Sequence, residues 1–317
     1  MLKAQFSSGL ATFRTVYGFH MNRRTPCELS ETVKMRRKSA LAFECGLYLQ
    51  PALKIGAAFL AATLLMVCLA RPAGAQNPNS LMPAESAARA KSILDQAIAA
   101  LGGPAYLGLR DSDCTARFAG FERSGEIGGL GEVRVLRQLP DKNRTEYDKR
   151  GDIVTVYAGD TGWTLDRSGV EELSAEDIAA YQEQLKNDAH FILRYRLNEP
   201  GLVLRYGGTE VVDLKQVDWV EVADSAGRNV RIAVDRSSHF PVRFVVSARD
   251  SDGARTEAVT VYSNYRPISG IQTAFQVSRF RNGQQVSQVF YAACKYNTNL
   301  SDDLFSRVSL DKHFAGK

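Results

Sequence analysis

Apolar and polar residues alternate with a period of two along most of the chain after residue 113. The segments "CTARFAGF", "GEVRVLRQL", "NRTEYD", "DIVTVYAG" and "GWTLD" follow one another with glycine, aspartate or proline between them. This pattern is typical of β-strands joined by tight turns. The alternation resumes after residue 201 and continues to "VSQVFYAACKY". Connections this short predict antiparallel pairing, and a sheet of about a dozen strands normally curls or closes.

Two segments instead show the three- to four-residue spacing of an α-helix. The first covers residues 84–101 and ends at two glycines, 102–103. The second begins at a capping box, 174–177, and runs to Tyr195. Two helices beside so many strands predict an α+β fold, in which helices pack on, or plug, a curved sheet.

The N-terminal part resembles an export leader. Residues 51–70 form an apolar run with a single lysine, basic residues precede it, and the small-x-small tripeptide 73–75 follows it. These features predict a signal peptide cut between Ala75 and Gln76, and hence a periplasmic protein. Residues 1–75 are then leader and signal peptide, with Met21 and Met35 as alternative starts.

Two alternatives to cleavage stay open. The run could remain as an uncleaved anchor, although its uninterrupted part, 55–70, is short for a span of about 20 residues. Alternatively, Cys68 could be the lipidated residue of a lipoprotein, although the preceding "LMV" places valine where a small residue is expected.

Removing the leader changes the electrostatic character of the protein. The leader holds ten of the 40 basic and three of the 35 acidic residues, so the net charge falls from +5 to about −2. A near-neutral protein has no basic field with which to attract nucleic acid. Nucleic acid is therefore not expected as a partner.

Cys114 and Cys294 are the two cysteines that remain after the leader. Both occupy the apolar positions of their predicted strands, so we expect them to be neighbours in the folded protein. In an oxidising compartment they could form a disulfide. Two buried thiols are the alternative.

The mature chain lacks recognisable catalytic or metal-binding motifs. His190, His239 and His313 have no neighbours at metal-ligand spacing and are predicted to be ordinary surface or turn histidines. Nucleophile-elbow, P-loop, dinucleotide and paired-histidine zinc patterns do not occur after residue 76. We therefore expect no enzyme activity, no cofactor and no metal. Carboxylates distant in sequence leave a hydrolase as a weaker alternative.

The run from "GEVRVLRQLPDKNRTEY" to "DIVTVYAGDTGWTLD" resembles the periplasmic lipoprotein carriers of the LolA/LolB-like superfamily, of which this chain would be a divergent member. The closing "DDLFSRVSL" resembles the end of those proteins. The matching positions are Gly131, Pro140, Arg144, Gly159, Gly162 and Trp163. The carriers place an arginine directly before the proline, whereas here Arg137 stands three residues before it.

The resemblance implies a strongly curved antiparallel sheet that forms an incomplete β-barrel plugged by helices. Residues 76–112 would be a linker and N-terminal helix, continuous as one domain with a half-barrel at 113–317. It also implies a hydrophobic cavity for the acyl chains of a lipid or lipoprotein, and envelope membrane proteins as possible delivery partners of a monomeric carrier or sensor. The implied ligand-binding residues are Phe118, Val133, Val135, Arg137, Val154, Val156 and Trp163 on the sheet, with Phe191 and Leu193 on the lid.

A different class of function is also compatible with these residues. A cell-envelope structural or protein-interaction module would have a filled core instead of a cavity, with an exposed apolar patch of several hundred Å².

The first testable prediction concerns processing. We expect the exported protein to begin at Gln76, because the small residues at 73 and 75 suit signal peptidase. N-terminal sequencing of the exported protein measures this directly. A product that retains residues before Ala73 would contradict it.

Overall fold

The computed structural model describes residues 81–147, 151–249 and 253–316. The leader and its cleavage site lie outside these ranges. Across the described ranges, no helix combines the length and apolar character that crossing a membrane requires.

The described chain folds into thirteen strands and a few helices. The helices are α1 (Pro83–Leu101), α2 (Pro104–Leu107), α3 (Ala175–Lys186), α4 (Ala189–Phe191), which continues as a π-helical turn (Ile192–Arg196), a 3₁₀ turn (Asp302–Phe305) and α5 (Arg307–Ala315). The strands are β1 (Asp111–Phe121), β2 (Ile127–Gln138), β3 (Lys142–Tyr147), β4 (Ile153–Ala158), β5 (Thr161–Asp166), β6 (Gly169–Glu172), β7 (Val203–Val212), β8 (Lys215–Ala223), β9 (Asn229–Asp235), β10 (Pro241–Arg249), β11 (Arg255–Ile268), β12 (Ile271–Arg281) and β13 (Gln284–Tyr296).

All thirteen strands belong to one antiparallel sheet, with the order β6-β5-β4-β3-β2-β1-β13-β12-β11-β10-β9-β8-β7. Every neighbouring pair is consecutive in sequence except β1 and β13. The sheet is therefore two meanders joined by one long-range pairing. Its edges are β6 and β7, which are also consecutive in the chain.

Contacts of α3 show that the sheet is strongly curved. Gln182 Nε2 donates to the carbonyl of Gly159 in the β4–β5 turn at 3.1 Å, and the next residue, Glu183, accepts from Arg228 in the β8–β9 turn. Eight strand spacings separate β4 from β9, or roughly 38 Å in a flat sheet. A twelve-residue helix is only about 18 Å long. The sheet must therefore curl into an open half-barrel, which confirms the predicted fold class.

The face of the sheet that bears α1 is called here the inner face, and the opposite one the outer face. Ala90, Leu94, Ala97 and Leu101 on one side of α1 are fully buried in the main core of the inner face. At the end of α1, Gly102 has φ +126°, and a Cβ there would collide with the carbonyl oxygen of Gly270. Glycine is required at this position because the helix end lies directly on the β11–β12 turn.

A second core lies on the outer face of β2–β5. Leu136, Val154, Val156 and Leu165 are almost completely buried there under Phe305 and Leu310 of the C-terminal segment. The C-terminal segment thus acts as a cover on the outside of the half-barrel.

Arg144 attaches this cover to the sheet. The side chain is 4 % exposed. It donates from Nη1 to the carbonyl of Leu304 at 3.0 Å and to Ser309 Oγ at 2.8 Å, and from Nε to Glu146 at 2.7 Å. Its buried charge is therefore both paired and hydrogen-bonded.

Several elements differ from the sequence prediction. The helices α2 and α5 and the 3₁₀ turn were not predicted. The helix predicted to reach Tyr195 is interrupted after Lys186, because Asp188 starts a new helix by accepting the N–H groups of residues 190 and 191. The strand β6 was not predicted. The run "TEVVDLKQVDWVEVAD" is split between β7 and β8 by a hairpin turn, where Asp213 and Leu214 have φ of 50° and 64°. Without glycine, the sequence gives little sign of this turn.

Cys114 and Cys294 lie directly opposite one another in the β1–β13 pairing, with Cα atoms 4.1 Å apart and bonded sulfurs. The bond closes a loop of 180 residues across the one long-range pairing of the sheet. Cross-links of long loops stabilise a fold mainly by restricting the unfolded chain.

We therefore expect the double variant Cys114→Ala, Cys294→Ala to lower the free energy of unfolding by about 2–5 kcal/mol. Urea denaturation followed by circular dichroism measures the change. Dithiothreitol should destabilise the wild type similarly and leave the double variant unaffected. Equal stability of wild type and variant under oxidising conditions would contradict the expectation.

Candidate functional site

The predicted site residues lie on both faces of the sheet. Val133 belongs to the main core of the inner face, with Phe118 and Val135 packed against it. Val154 and Val156 are instead fully buried in the outer core, and Trp163 packs against that core. A single cavity lined by all these residues is therefore wrong for this structure.

The separation follows from the period of two along each strand. Leu136 on β2 pairs across β3 and β4 with Arg144, Val156 and then Trp163 on β5, so these four side chains share the outer face. Val135, one residue earlier, points to the inner face. Sequence alternation shows which residues of one strand share a face. The pairing register decides which residues of the neighbouring strand lie on that same face of the sheet.

The predicted lid residues have different surroundings. Leu193 is 2 % exposed and belongs to the main core. Phe191 is half-buried, and its ring lies 5.2 Å from that of Tyr195. Of these two residues, only Phe191 is therefore partly accessible to solvent.

A row of polar and aromatic residues crosses the inner face beside Val135. The directly paired positions Tyr157, Asn143, Arg137, Ser112 and Tyr296 run across β4, β3, β2, β1 and β13. Paired residues share a face, and Arg137 shares the face of Val135 because it stands two residues later on the same strand.

The helical segment after α3 places His190 opposite this row. His190 Nδ1 is 2.9 Å from the hydroxyl of Tyr106, and the ring meets the edge of Tyr262 at a centroid distance of 5.4 Å. Arg194 lies over the ring of Tyr106, with its guanidinium carbon 4.1 Å from the centroid, and donates from Nε to the Tyr106 carbonyl at 3.1 Å. One histidine, two tyrosines and an arginine thus form a connected cluster.

Burial lowers the pKa of His190 to about 4. Asp188 opposes this shift, while the positive charges of Arg194 and Arg137 favour it. Burial also raises the pKa of Tyr181 and Tyr262. At neutral pH, His190 and these tyrosines are therefore uncharged, and the nearby arginines carry the positive charge.

The name inner recess is given to a group of side chains on the inner face and on the helical segment that crosses it, which consists of Arg137, Asn143, Tyr157, Tyr181, His190 and Tyr296. Its tyrosines and its histidine are half-buried. Tyr157 and Tyr181 stack at a centroid distance of 3.9 Å, so that α3 covers one side of the recess. The positive charge of Arg137 contributes to lowering the pKa of Tyr181, His190 and Tyr296, against the larger effect of burial on the two tyrosines.

Two concave features of the described chain lie at α1, away from these residues. A shallow depression of about 470 Å³ runs along the solvent side of α1, and a cleft of about 170 Å³ lies between α1 and Asp218, Asp235 and His239. In the described ranges, no group of three histidine, cysteine or acidic side chains is arranged to hold a metal ion.

The prediction that His190 is an ordinary surface or turn histidine is wrong. Its hydrogen-bond partner Tyr106 is 84 residues away in sequence, and Tyr262 is on β11. A lone histidine next to a helix start carries no periodic or spacing signal of such partners. Only the folding of α3 and α4 across the half-barrel brings the three rings together.

Several solved structures align with most of this chain at low sequence identity. A DUF1329 family protein from Desulfovibrio piger aligns over 70 % of this chain and 98 % of its own, with 17 % identity and a TM-score of 0.49. A protein domain from Vibrio parahaemolyticus described as outer membrane lipoprotein-sorting aligns over 71 % and 99 %, with 13 % identity and a TM-score of 0.49. A LolA superfamily protein from Nitrosomonas europaea aligns over 70 % and 99 %, with 17 % identity and a TM-score of 0.46.

No protein-family model matches the sequence, and a search of curated proteins gives no match.

The lowered pKa of His190 predicts a specific dependence of stability on pH. Folding lowers its pKa from 6.5 to about 4, so between these values the unfolded chain binds more protons than the folded protein. The free energy of unfolding should therefore fall by roughly 2–3 kcal/mol as the pH falls through this window. Urea denaturation at about pH 7 and about pH 4.5 tests the direction.

The variant His190→Gln should lose most of this difference, because it has no group that titrates there. His313→Gln, on α5, is the matched control and should keep the wild-type difference. Carboxylates such as Asp224, whose pKa is lowered to about 2, lose their contribution only at more acidic pH. An unchanged pH dependence in His190→Gln would contradict the assignment.

Proposed function

We propose that this protein is an exported carrier or sensor that holds the acyl chain of a lipid or lipoprotein between the inner face of the half-barrel and α3, without catalysing a reaction. The observation that carries the proposal is a strip of half-buried apolar side chains on the inner face, bordered by a helix with few buried attachments. With the leader removed, the compartment would be the periplasm.

The strip, called here the inner strip, consists of neighbouring residues on β13, β1, β2 and β3. Phe118, Val135, Tyr147 and Tyr291 are half-buried and pack against the main core next to Val133. Ala116 pairs with both Tyr291 and Val133, and Val133 pairs with Tyr147. The apolar surface is thus continuous across four strands, as a chain-shaped ligand requires.

The helix α3 is attached mainly through polar contacts. It has one buried residue, Ile178. Gln182 and Glu183 join it to the β4–β5 and β8–β9 turns, and Tyr181 stacks on Tyr157. Partly exposed ion pairs contribute only roughly 0.2–1 kcal/mol each, so α3 is among the elements that open most easily.

The energy available from an acyl chain exceeds the cost of such an opening. Each methylene transferred from water contributes roughly 0.8 kcal/mol. A chain of about eight methylenes therefore offers roughly 6 kcal/mol, more than a few surface contacts provide. A carrier also has to release its ligand, which a weakly attached lid allows.

A protein-interaction module is the second candidate, and a separate feature favours it. The first half of β2 extends beyond β3, whose pairing with β2 begins at Val133. Ile127 and Leu130 there are 61 % and 75 % exposed, and Phe290 on β13 is 43 % exposed. Because α1 fills much of the half-barrel, a filled core with this exposed end would suit binding of another envelope protein. Such a protein would not bind acyl chains saturably.

Substitution of Val135 tests the carrier function. Val135→Asn places an amide in the inner strip, where a bound acyl chain would leave it without hydrogen bonds at a cost of about 1–3 kcal/mol. We expect at least about fivefold weaker binding of a fluorescent fatty acid, measured by titration of protein stripped of endogenous lipid.

Val211→Asn is the control, because Val211 is 69 % exposed on β7, away from the inner strip. It should bind like the wild type. Substitution of Val156 would not test the carrier function, because Val156 is buried in the outer core and its replacement would change the stability of that core. Absence of saturable binding by the wild type would contradict the carrier function and support the interaction module.

A further inference from the structure

We propose that β7, one edge of the sheet, pairs with β7 of a second copy of this chain, so that two copies form a symmetric dimer through one continuous antiparallel sheet. The two-fold axis would lie between Gly207 and Gly208. This surface is separate from the inner strip, so the inference does not depend on the carrier function. It differs from the monomer that the family resemblance implies.

The strand β7 is a long and accessible edge. It has ten residues, and β8 is its one neighbour in the sheet of the described chain. Val203 and Val211 are 55 % and 69 % exposed. The opposite edge, β6, has only four residues. A long edge strand presents a row of backbone N–H and C=O groups that can pair with another strand.

The hairpin turn decides which backbone groups of β7 point outwards. Val212 and Lys215 pair across the two-residue turn 213–214, and the residues that flank such a turn are hydrogen-bonded to each other. Hydrogen-bonded and non-hydrogen-bonded pairs alternate along an antiparallel ladder. The N–H and C=O groups of Val211 and Thr209 therefore point away from β8.

The other half of β7 has the same arrangement. The N–H group of Tyr206 donates to Ser86 Oγ of α1 at 2.9 Å and therefore points away from β8. By the same alternation, so do the backbone groups of Leu204. Leu204, Tyr206, Thr209 and Val211 are symmetric about the proposed axis. Because α1 already engages the N–H group of Tyr206, the other outward groups would make the hydrogen bonds between the copies.

The sequence of β7, "VLRYGGTEVV", is complementary to itself in this arrangement. Arg205 would lie opposite Glu210 of the partner subunit, and each dimer would contain this pair twice. Directly opposed residues of opposite charge attract one another, and opposed aliphatic residues pack together. The aliphatic pairs would be Val203 with Val212 and Leu204 with Val211.

The two charged residues have contacts within the chain but remain exposed. Arg205 Nη1 lies 3.9 Å from a carboxylate oxygen of Glu221, and the side chain of Arg205 is 70 % exposed. Glu210 Oε2 accepts from Trp219 Nε1 at 2.8 Å, and Glu210 is exposed. Both side chains are therefore accessible to a second copy.

Arg205 and Glu210 also lie on the same face of the sheet. Leu204 pairs with Val222 of the main core, so the next residue, Arg205, is on the outer face. Trp219 stands three residues before Val222 on β8 and is on the outer face as well, as is Glu210, which accepts from it. Residues that would be opposed in the dimer thus project from the same side.

A β-bulge makes this match possible. The register between β7 and β8 shifts between Tyr206 and Gly208, so β7 has one extra residue there. Without it, Arg205 and Glu210 would lie on opposite faces, because they are five positions apart. The bulge lies at the proposed axis. Both copies would therefore bend at the same point and keep a one-to-one register.

The test is a charge reversal and its compensation. Sedimentation velocity of the exported protein over a range of concentrations measures the dissociation constant of the dimer. Glu210→Arg would place two arginines opposite one another, and we expect about tenfold weaker dimerisation, because two attractive cross-strand pairs become repulsive. The double variant Arg205→Glu, Glu210→Arg exchanges the two charges and should dimerise like the wild type.

Val211→Pro tests the backbone pairing without changing a charge. The N–H group of Val211 points away from β8, so proline removes no hydrogen bond within the chain but removes a donor to the second copy. This variant should also dimerise more weakly than the wild type. Its midpoint of thermal unfolding, measured below the concentration of dimerisation, should stay close to that of the wild type.

Glu171→Arg is the matched control. It makes the same charge reversal at an exposed position of β6, the opposite edge of the sheet. It should dimerise like the wild type. Thermal unfolding of each variant verifies that it is folded.

Four results would overturn the proposal. The first is a wild type that sediments as a monomer at every concentration. The second is a dimer that Glu210→Arg and Val211→Pro leave intact, which would place the interface elsewhere. The third is a dimer that Glu171→Arg weakens as strongly as Glu210→Arg. The fourth is failure of the charge exchange to restore the dimer. The carrier function is unaffected by any of these results.

Discussion

The pairing of β1 with β13 is the interaction on which the rest of the structure depends. All other pairs join strands that are consecutive in sequence and can form locally. The β1–β13 pair joins residues about 180 positions apart. Forming this pair therefore closes a long loop, which has a large cost in conformational entropy. Besides the disulfide, Asp111 stabilises the pairing by accepting from the N–H groups of Thr298 and Asn299 at 2.6 and 3.0 Å. Without this pairing, two separate meanders would each expose an additional edge.

Joining the meanders through their ends has a topological consequence. The strands β6 and β7 become opposite edges of the sheet although they are consecutive in the chain. The residues between them must therefore cross from one edge to the other, and they do so as α3 and α4. The position of α3 over the inner face, the position of His190 and the inner recess all result from this crossing. The same crossing explains why a helix of low apolar content is held across a large sheet.

The two faces of the half-barrel are packed differently. On the outer face of β2–β5, the C-terminal segment, anchored by Arg144, completes a closed core. On the inner face of the same strands, the apolar side chains next to Arg137 are only half-buried. Complete burial contributes stability, and the partly buried side chains are those that the proposed ligand would contact. Adjacent residues such as Val135 and Leu136 thus have unrelated roles, because a strand turns alternate side chains to opposite faces.

The sequence by itself determined the fold class and most of the strands. Period-two alternation, short connections and two helical segments sufficed for a curved antiparallel sheet with helices, because these signals arise within a few neighbouring residues. It also placed Cys114 and Cys294 on apolar positions. It missed β6 and the β7–β8 hairpin, where a four-residue strand and a turn without glycine give weak local signals, and it missed the short helices α2 and α5. Only the tertiary structure decided which residues meet. It placed Val156 and Trp163 under the C-terminal cover, and it brought His190 to Tyr106 and Tyr262. These contacts depend on pairing register and on the path of α3 across the sheet, and neither is encoded by the spacing of residues along one segment.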